Sequence, residues 1–311
     1  MLINSLKFVL FFLSLVCFTK AEAVELWLKD IPVKKLQDLY KQSNYDGIKG
    51  YLMLPSHQYP PIFLKNLPND YNTLVNETER NALFIKIIAP LALKLNQEIL
   101  SERKLIEDLK TKFDKDKKLS KKDKNLLEEK AKKYDVFTRL KDTPRYTHLI
   151  SELLNRIDEV PPSIIITAAA IDTNWGTLKS IPRTNSLYKA YVWYTNSGIK
   201  PEGEKEDDSY RLKVYPDLYE SIKDFALRLN SHIAFDTMRI MRNERRQVGD
   251  RNPGFLMAPY IYGYSPLTNY AGLFDYTLAY YELLEIDKSS LADNMITEKI
   301  AKNFDLYRAK K

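Results

Sequence analysis

Apolar residues recur at helical spacing over most of the chain after Glu77, and this pattern predicts a mainly α protein. The repeat predicts one long helix from Glu77 to about Phe113 that continues past Pro90. Ser120 and Asp123 fit the cap of a second helix, which we expect to form a hairpin with the first. The apolar positions of the long helix are Phe84, Ile87, Ile88, Leu91, Leu95 and Ile99.

The most apolar helix is predicted between Pro161 and Gly176. Nearly every residue from Ile164 to Ile171 is apolar or small, so the helix has no polar stripe and should be buried on all sides. Pro161 and Pro162 suit its start and Gly176 suits its end. A preceding helix leads into it and carries Leu149, Ile150, Leu153, Leu154 and Ile157.

The pattern changes after the buried helix. Two aromatic, alternating runs between Ser186 and Tyr215 are joined by the polar sequence NSGIKPEGEKEDD, which predicts a small β-hairpin lobe. Residues 24–75 have weak periodicity and predict short elements draped over the surface. The rest is predicted to hold helical stretches from Asp217 to about Arg246, a loop with Gly249, Pro253 and Gly254, and a last helix from about Ala271 to Glu285.

Asp172 lies at the end of the predicted buried helix and is followed by Asn174, Trp175 and Gly176. A carboxyl group there is partly desolvated and lies beside the negative end of the helix dipole, so its acid form is favoured. The sequence therefore predicts that Asp172 is a general acid.

The run from Ala170 to Gly176 resembles the signature of the glucosaminidase family of peptidoglycan hydrolases, glycoside hydrolase family 73, written A-x-E-S-x-W-G. Three later segments resemble further family elements: TNSLYKAYVWYT around Asn185, LRLNSHIAFDTMR from Leu227 and YSPLTNYAGLF from Tyr264. With the helical lead-in NALFIKIIAPLALKLNQEILSERK, they point to the Bax-like subgroup, over roughly residues 77–287. The family has Glu at the position of Asp172.

The resemblance implies a mainly α (α+β) fold, in which a lysozyme-like helical domain carries a small β-hairpin lobe and follows an N-terminal helical extension. We predict a signal peptide at 1–23, the helical extension at 24–140, the glucosaminidase-like catalytic domain at 141–290 and a C-terminal tail at 291–311. The buried helix and the hairpin support the same arrangement independently.

The resemblance also implies further site residues. Glycosidic hydrolysis usually needs a second group besides the acid, and family members place a second carboxylate in the β-lobe. Among the acidic residues of this region we favour Asp208. The alternative is that the whole cluster is only a solvent-exposed turn. Its members are Glu202, Glu204, Glu206, Asp207 and Asp208. Tyr264 matches the family's functional tyrosine. Substrate contacts are expected from Trp175, Asn185, Tyr188 and Tyr270, and Trp193 and Tyr194 would extend the groove; for Trp175 a role in the core is the alternative.

Composition narrows the choice of partners. The 311 residues are 44% hydrophobic and 29% charged, as in an ordinary globular protein. Lys7, the apolar run from Phe8 to Phe18 and the Ala21, Glu22, Ala23 site fit a secretory signal, which predicts a periplasmic protein. An uncleaved inner-membrane anchor is the alternative. The net charge of +7 suits anionic wall polymer, acidic lipid headgroups at a membrane surface, or nucleic acid, and export argues against the last.

No cofactor or metal is expected. His57, His148 and His232 are scattered without a second histidine at metal-ligand spacing, and His232 falls in a family element where a structural role is expected. Two functions stay open: an exported hydrolase that cleaves β-1,4 bonds next to N-acetylglucosamine, and a catalytically weakened relative that binds wall glycan or envelope partners. The shorter side chain of Asp172 separates them, and the oligomeric state is left open.

Overall fold

The structure is a computed structural model that describes residues 24–47, 49–54, 57–193, 197–201, 210–250, 253–265, 267–293 and 295–309. Helices account for most of the described chain, which confirms a mainly α fold. The α-helices are α1 Val33–Gln42, α2 Glu77–Asp116, α3 Lys121–Lys133, α4 Asp142–Arg156, α5 Pro162–Thr173, α6 Ile181–Thr184, α7 Leu218–Ser231, α8 Asp236–Gln247, α9 Gly254–Ile261, α10 Tyr270–Tyr280 and α11 Glu298–Lys302. The strands are β1 Leu26–Leu28, β2 Gln58–Tyr59, β3 Ile62–Leu64, β4 Tyr191–Trp193, β5 Tyr210–Leu212 and β6 Ser290–Leu291.

The long helix and its hairpin partner form as the sequence predicts. α2 contains 40 residues, begins where the Asn76 side chain accepts a hydrogen bond from the Glu79 amide, and includes Pro90 in its interior. Ser120 caps α3 by accepting from the Asp123 amide. Glu102 of α2 receives ion pairs from two lysines of α3, each at 2.8 Å, and these hold the two helices side by side.

Helix α5 occupies the centre of the molecule and packs against α2, α9, α10 and the 3-10 segment Leu283–Lys288. All of its residues except Ile171 are buried. Asp287 caps its first turn, because the Ser163 amide and hydroxyl donate to the two Asp287 oxygens at 2.8 and 2.7 Å. Burial raises the pKa of Asp287 to about 7. The first turn of α5 is therefore tied to the 3-10 segment Leu283–Lys288.

Two arginines of α8 hold the segment that leads into α5. The Arg242 guanidinium is 1% exposed and donates to the carbonyls of Asp158 and Glu159 and to the Asn230 side chain. Arg246 forms an ion pair with the Asp158 carboxylate. These charge-assisted bonds satisfy backbone carbonyls that the turn between α4 and α5 would otherwise leave buried and unpaired.

The predicted β-hairpin lobe is present. β4 and β5 pair antiparallel in the register Tyr191 with Leu212, Val192 with Arg211 and Trp193 with Tyr210. A bridge between Ile199 and Leu212 extends the pairing. A buried helix that ends in a carboxylate, beside a β-hairpin and enclosed by helices, is the arrangement of elements expected from the sequence.

Residues 24–75 form short elements, as predicted, but part of this segment is buried rather than draped over the surface. β1 and β3 pair in parallel, and all of their residues are buried, with Leu26, Leu28 and Phe63 at 0% exposure. Strands this short give too few positions for periodicity to reveal which residues are buried. The N-terminal segment therefore contributes to the same core as α2.

Two C-terminal predictions also need correction. The predicted loop around Pro253 and Gly254 gives way to helix α9, and the last long helix ends at Tyr280 and continues as the 3-10 segment 283–288. Pro and Gly mark turns in a sequence, yet both are tolerated in the first turn of a helix, which explains the missed α9. Ser290–Leu291 form β6, parallel to β2, and helix α11 follows at Glu298–Lys302.

Within the part of the chain that the structure describes, no helix combines the length and the apolar composition needed to cross a membrane.

Candidate functional site

The last turn of α5 and the residues after it have an unusual backbone. Asn174, Trp175 and Gly176 have φ values of 48°, 57° and 78°, three consecutive residues in the left-handed region. That region costs non-glycine residues about 1–2 kcal/mol each. The Thr173 hydroxyl donates to the Ala169 carbonyl at 2.6 Å and accepts from the Gly176 amide at 2.8 Å, which stabilises the turn. Strained backbone of this kind clusters at functional sites.

Asp172 is the carboxylate that this turn positions. It is 4% exposed, and its Oδ2 accepts one hydrogen bond from the Lys189 amide at 3.3 Å. Its Oδ1 has no hydrogen-bond partner among the described residues. Burial raises the pKa of Asp172 to about 6, although the Lys189 hydrogen bond and the Arg228 charge lower it. The acid form is thus favoured, for the desolvation reason that the sequence indicated.

Asp172 lines a cleft of about 250 Å³ between the end of α5, α6 and the β-hairpin. Tyr191 lies on the hairpin side of the cleft, and Lys179 and Lys189 add positive charge to its lining. Larger concavities occur elsewhere, including one of about 760 Å³ that Asp287 lines. The Asp172 cleft differs from that one because Oδ1 of its buried carboxylate has no hydrogen-bond partner among the described residues, whereas both oxygens of Asp287 bind Ser163.

Three tyrosines predicted from the sequence lie close enough to Asp172 to interact with its charge. Burial raises the pKa of Tyr188, Tyr264 and Tyr270, and the Asp172 charge adds to the increase in all three. The hydroxyls of Tyr264 and Tyr270 have no partner in the described part of the chain. The Tyr188 hydroxyl donates to the Ile165 carbonyl at 3.2 Å, and Tyr188 also lines the cleft. Tyr264 and Tyr270 are not among the residues that line the Asp172 cleft, and their hydroxyls are buried, so of these three tyrosines only Tyr188 lies at the cleft surface.

Arg228 is a functional candidate that the sequence reasoning missed. Its guanidinium lies 5.7 Å from the centre of the Tyr264 ring and pairs with Asp224 at 3.5 Å. Burial by itself would raise the pKa of Asp224. Hydrogen bonds from Lys213 and Tyr215 and the positive charge of Arg228 have a larger effect, so the pKa of Asp224 is lowered. Arg228 lies within the segment LRLNSHIAFDTMR, so the resemblance of this segment to a family element could have indicated it. Nothing else in the sequence distinguishes this arginine from the many other basic residues of the chain.

The other predicted residues fall in three places. Asp208 and the rest of the acidic cluster 202–208 lie outside the described residues, as does Tyr194. Asn185 ends α6 in the left-handed conformation, and its Nδ2 donates to the Tyr215 and Pro216 carbonyls at 3.3 and 3.4 Å. Trp193 lies on β4 and is 56% exposed.

Trp175 does not line the Asp172 cleft. It lines a second groove with residues of α10, and its ring contacts Tyr281 at a centroid distance of 4.6 Å and Phe84 at 5.9 Å. The left-handed turn after Thr173 explains the separation, since it reverses the chain directly after the helix. Asp172 and Trp175 therefore face different surface depressions.

His232 caps the 3-10 segment Ile233–Phe235, where its Nδ1 accepts a hydrogen bond from the Ala234 amide at 3.2 Å. This contact is a structural one, and the role predicted for His232 stays a prediction. Among the described residues, no three His, Cys, Asp or Glu side chains are grouped so that they could hold a metal ion.

These features define a mainly α protein with a buried, protonatable carboxylate beside a β-hairpin cleft. No family model matches the chain. The sequence is similar to Protein bax of Escherichia coli (strain K12), with 28% identity over 116 residues. That match covers 36% of this chain and 39% of the bax protein, so it spans about two fifths of the relative's length.

A solved structure with some similarity is the catalytic domain of the autolysin Auto from Listeria monocytogenes. It has 15% sequence identity and a TM-score of 0.36, and the match covers 70% of this chain and 94% of the autolysin domain. A TM-score of 0.36 is a weak similarity, and the fold class rests on the helices and strands described above.

Proposed function

We propose that this protein is a glucosaminidase-like glycoside hydrolase that cleaves β-1,4 bonds next to N-acetylglucosamine in peptidoglycan. The observation that carries the proposal is Asp172, a carboxyl group that is 4% exposed, has a pKa near 6 and lines a cleft beside the β-hairpin. The similarity to Protein bax and the glucosaminidase-like signature at Ala170–Gly176 support it.

In the proposed reaction, the Asp172 carboxylic acid donates its proton to the leaving glycosidic oxygen. The carboxylate that results is stabilised by the Lys189 amide and by the positive charge of Arg228. Tyr188 and Tyr191 line the cleft and are the tyrosines that would contact the sugar. The acidic cluster 202–208 supplies the second carboxylate, which either activates the water that attacks the anomeric carbon or bonds to that carbon until water releases the sugar, and Asp208 is the residue that we favour for it.

Digestion of purified peptidoglycan, followed by mass spectrometry of the fragments, tests the proposal. Fragments with reducing-end N-acetylglucosamine identify a glucosaminidase, and fragments with reducing-end N-acetylmuramic acid identify a muramidase. The Asp172→Asn variant serves as the matched control. A wild-type protein that releases neither fragment is not the proposed enzyme.

A second candidate function is binding of wall glycan or envelope partners without cleavage. One specific observation favours it: an Asp stands where the resembled family has Glu, and its side chain is nearly fully buried. The carboxyl group is about 1 Å further from a bound glycosidic oxygen, and a misplacement of that size can reduce the rate by about a hundredfold. Binding of peptidoglycan in a pull-down assay without fragment release is the result that this function predicts.

We further propose that the protein reaches the periplasm through a signal peptide at residues 1–23, which lie outside the described part of the chain. N-terminal sequencing of protein from a cell envelope fraction should give Val24. Recovery of an intact Met1 form from the membrane supports the uncleaved inner-membrane anchor, and recovery from the cytoplasm rejects export.

A further inference from the structure

Helix α10 has two apolar faces, and only one of them is buried in this molecule. Tyr270, Phe274, Thr277 and Leu278 form the buried face. A neighbouring face carries Leu273, Tyr276 and Tyr280 at positions i, i+3 and i+7, and these side chains are 41%, 61% and 57% exposed. Exposed apolar side chains that are contiguous, rather than scattered singly, mark recognition surfaces.

The exposed face is organised rather than loosely packed. The rings of Tyr276 and Tyr280 stack with centroids 5.3 Å apart and an interplanar angle of 20°. Tyr280 in turn packs edge-on against Tyr281 at 4.9 Å, and Tyr281 contacts Trp175 at 4.6 Å. The Tyr281 hydroxyl accepts a hydrogen bond from Asn81 at 2.7 Å, which fixes this ring. A continuous series of aromatic rings therefore runs from α10 to the turn after α5.

This series forms one side of a groove of about 340 Å³, which we call the second groove. Its other side is the first turn of α2, with Glu77 and Thr78, and its base is the end of α5, including Ile171 and Asn174. The groove offers flat rings together with a carboxylate, a hydroxyl and an amide. Of the described residues that line it, none is basic, so it does not suit a polyanion.

We propose that the second groove binds an uncharged N-acetylated oligosaccharide. The choice of this ligand rests on the proposed function. Pyranose rings present apolar faces that stack on aromatic rings and hydroxyl edges that hydrogen-bond to carboxylate and amide groups, and the groove provides both kinds of contact.

The position of the groove explains why such a site is useful. Ile171 lines the second groove, and its neighbour Asp172 lines the candidate catalytic cleft. Successive residues point about 100° apart around an α-helix, so the two depressions open on different sides of the same helical turn. The second groove therefore holds one part of a glycan strand next to the cleft without occupying it.

Calorimetric titration with N-acetylglucosamine tetramer tests the inference. The parent protein is Asp172→Asn, which prevents turnover of the tetramer. Replacing both stacked rings, with Tyr276→Ala and Tyr280→Ala, is expected to weaken binding about tenfold or more. Phe137→Ala, which removes an aromatic ring that is 80% exposed elsewhere, is the matched control and should leave the affinity unchanged. Circular dichroism melts verify that each variant folds.

The outcomes separate this inference from the proposed function. Unchanged affinity in the double tyrosine variant, or no binding by the parent, overturns the inference. If Tyr191→Ala in the cleft removes binding and the double tyrosine variant does not, the tetramer binds at the Asp172 cleft and the second groove is rejected while hydrolysis stands. Loss of binding only in the double tyrosine variant supports the second groove, even if peptidoglycan digestion yields no fragments. A dimer that dissociates on replacement of Tyr276 and Tyr280 shows that a second copy covers this face, and it overturns the inference.

Discussion

Asp172 illustrates a conflict between stability and catalysis in a single residue. Its folded-state pKa of about 6 lies above its ordinary value of 3.8, so the folded protein binds more protons than the unfolded chain between those pH values. The stability that the protonated carboxyl group contributes is therefore complete below about pH 4 and is lost as the pH rises through 6. At neutral pH the ionised, buried carboxylate destabilises the fold.

The Asp172→Asn variant should consequently be less active and more stable at pH 7. Activity on peptidoglycan is expected to fall by about a hundredfold or more because the titratable proton is gone. The free energy of unfolding should rise by about 1–3 kcal/mol at pH 7, the energy equivalent of the pKa shift, and the gain should disappear below pH 4. Urea unfolding at pH 4 and pH 7 measures both values. Full activity in this variant would rule out Asp172 as the general acid.

The pH dependence of wild-type activity follows from the same pKa. If Asp172 acts as the acid, activity should fall as the pH rises above about 6, because the protonated fraction decreases tenfold for each further pH unit. A pH–rate profile on peptidoglycan between pH 4 and 8 checks this. Activity that stays level from pH 6 to 8 would contradict a protonated Asp172 in the reaction.

Asp172→Glu distinguishes the two candidate functions by the sign of its effect. In a working hydrolase adapted to the shorter acid, the extra methylene overpacks a buried site, so activity falls and stability decreases by about 1–3 kcal/mol. In a weakened relative, the longer side chain restores reach and activity rises tenfold or more. We expect the decrease, since Asp172 is only 4% exposed. Wild type and variant are compared on the same peptidoglycan, with thermal melts to verify folding.

At the scale of elements, the turn after α5 depends on Gly176. Its φ is +78°, and a Cβ at this position would lie 2.7 Å from Leu67 Cδ1 and 3.2 Å from the Phe84 ring. Gly249 has a similar φ of +85° with no atom within 4 Å of an added Cβ, so it isolates the backbone effect. Gly249→Ala should destabilise the protein by about 1–2 kcal/mol, and Gly176→Ala by a further 1–3 kcal/mol or so from overpacking. Chemical denaturation of both variants measures the difference, and equal losses would contradict the packing argument.

The elements also show how far the sequence predicts this protein. α2, α3 and α5 were predictable because the apolar patterns of α2 and α5 and the Ser120 cap of α3 act locally. α9 was not, since Pro253 and Gly254 resemble loop residues and its apolar positions lack a helical period. Asp172 was found from its place in a buried helix, whereas Arg228 approaches Tyr264 only through tertiary packing. The placement of Trp175 in the second groove depends on three left-handed residues that only the folded backbone reveals.

At the scale of the whole molecule, the C-terminal segment 291–309 closes the fold against its N-terminal segment. The Lys29 amide donates to the Tyr307 carbonyl, and the Ala309 amide donates to the Trp27 carbonyl, both at 2.8 Å. β6 pairs with β2 from the N-terminal segment. The segment predicted as a tail therefore packs on the same core as β1 and β3. The domain boundaries given in the sequence analysis stay a prediction.

Phe304 gives this long-range closure a measurable test. Its ring is 3% exposed in the C-terminal segment, whereas Leu306, two residues later, is 87% exposed. Phe304→Ala removes a buried ring and leaves a cavity, so the free energy of unfolding should fall by about 3–5 kcal/mol. Leu306→Ala, the matched control on the same segment, should change it by less than about 0.5 kcal/mol. If the C-terminal segment closes the core, Phe304→Ala should shift one cooperative transition. A separate early transition, with the main one unchanged, would mean that residues 291–309 unfold independently and do not stabilise the helix that carries Asp172.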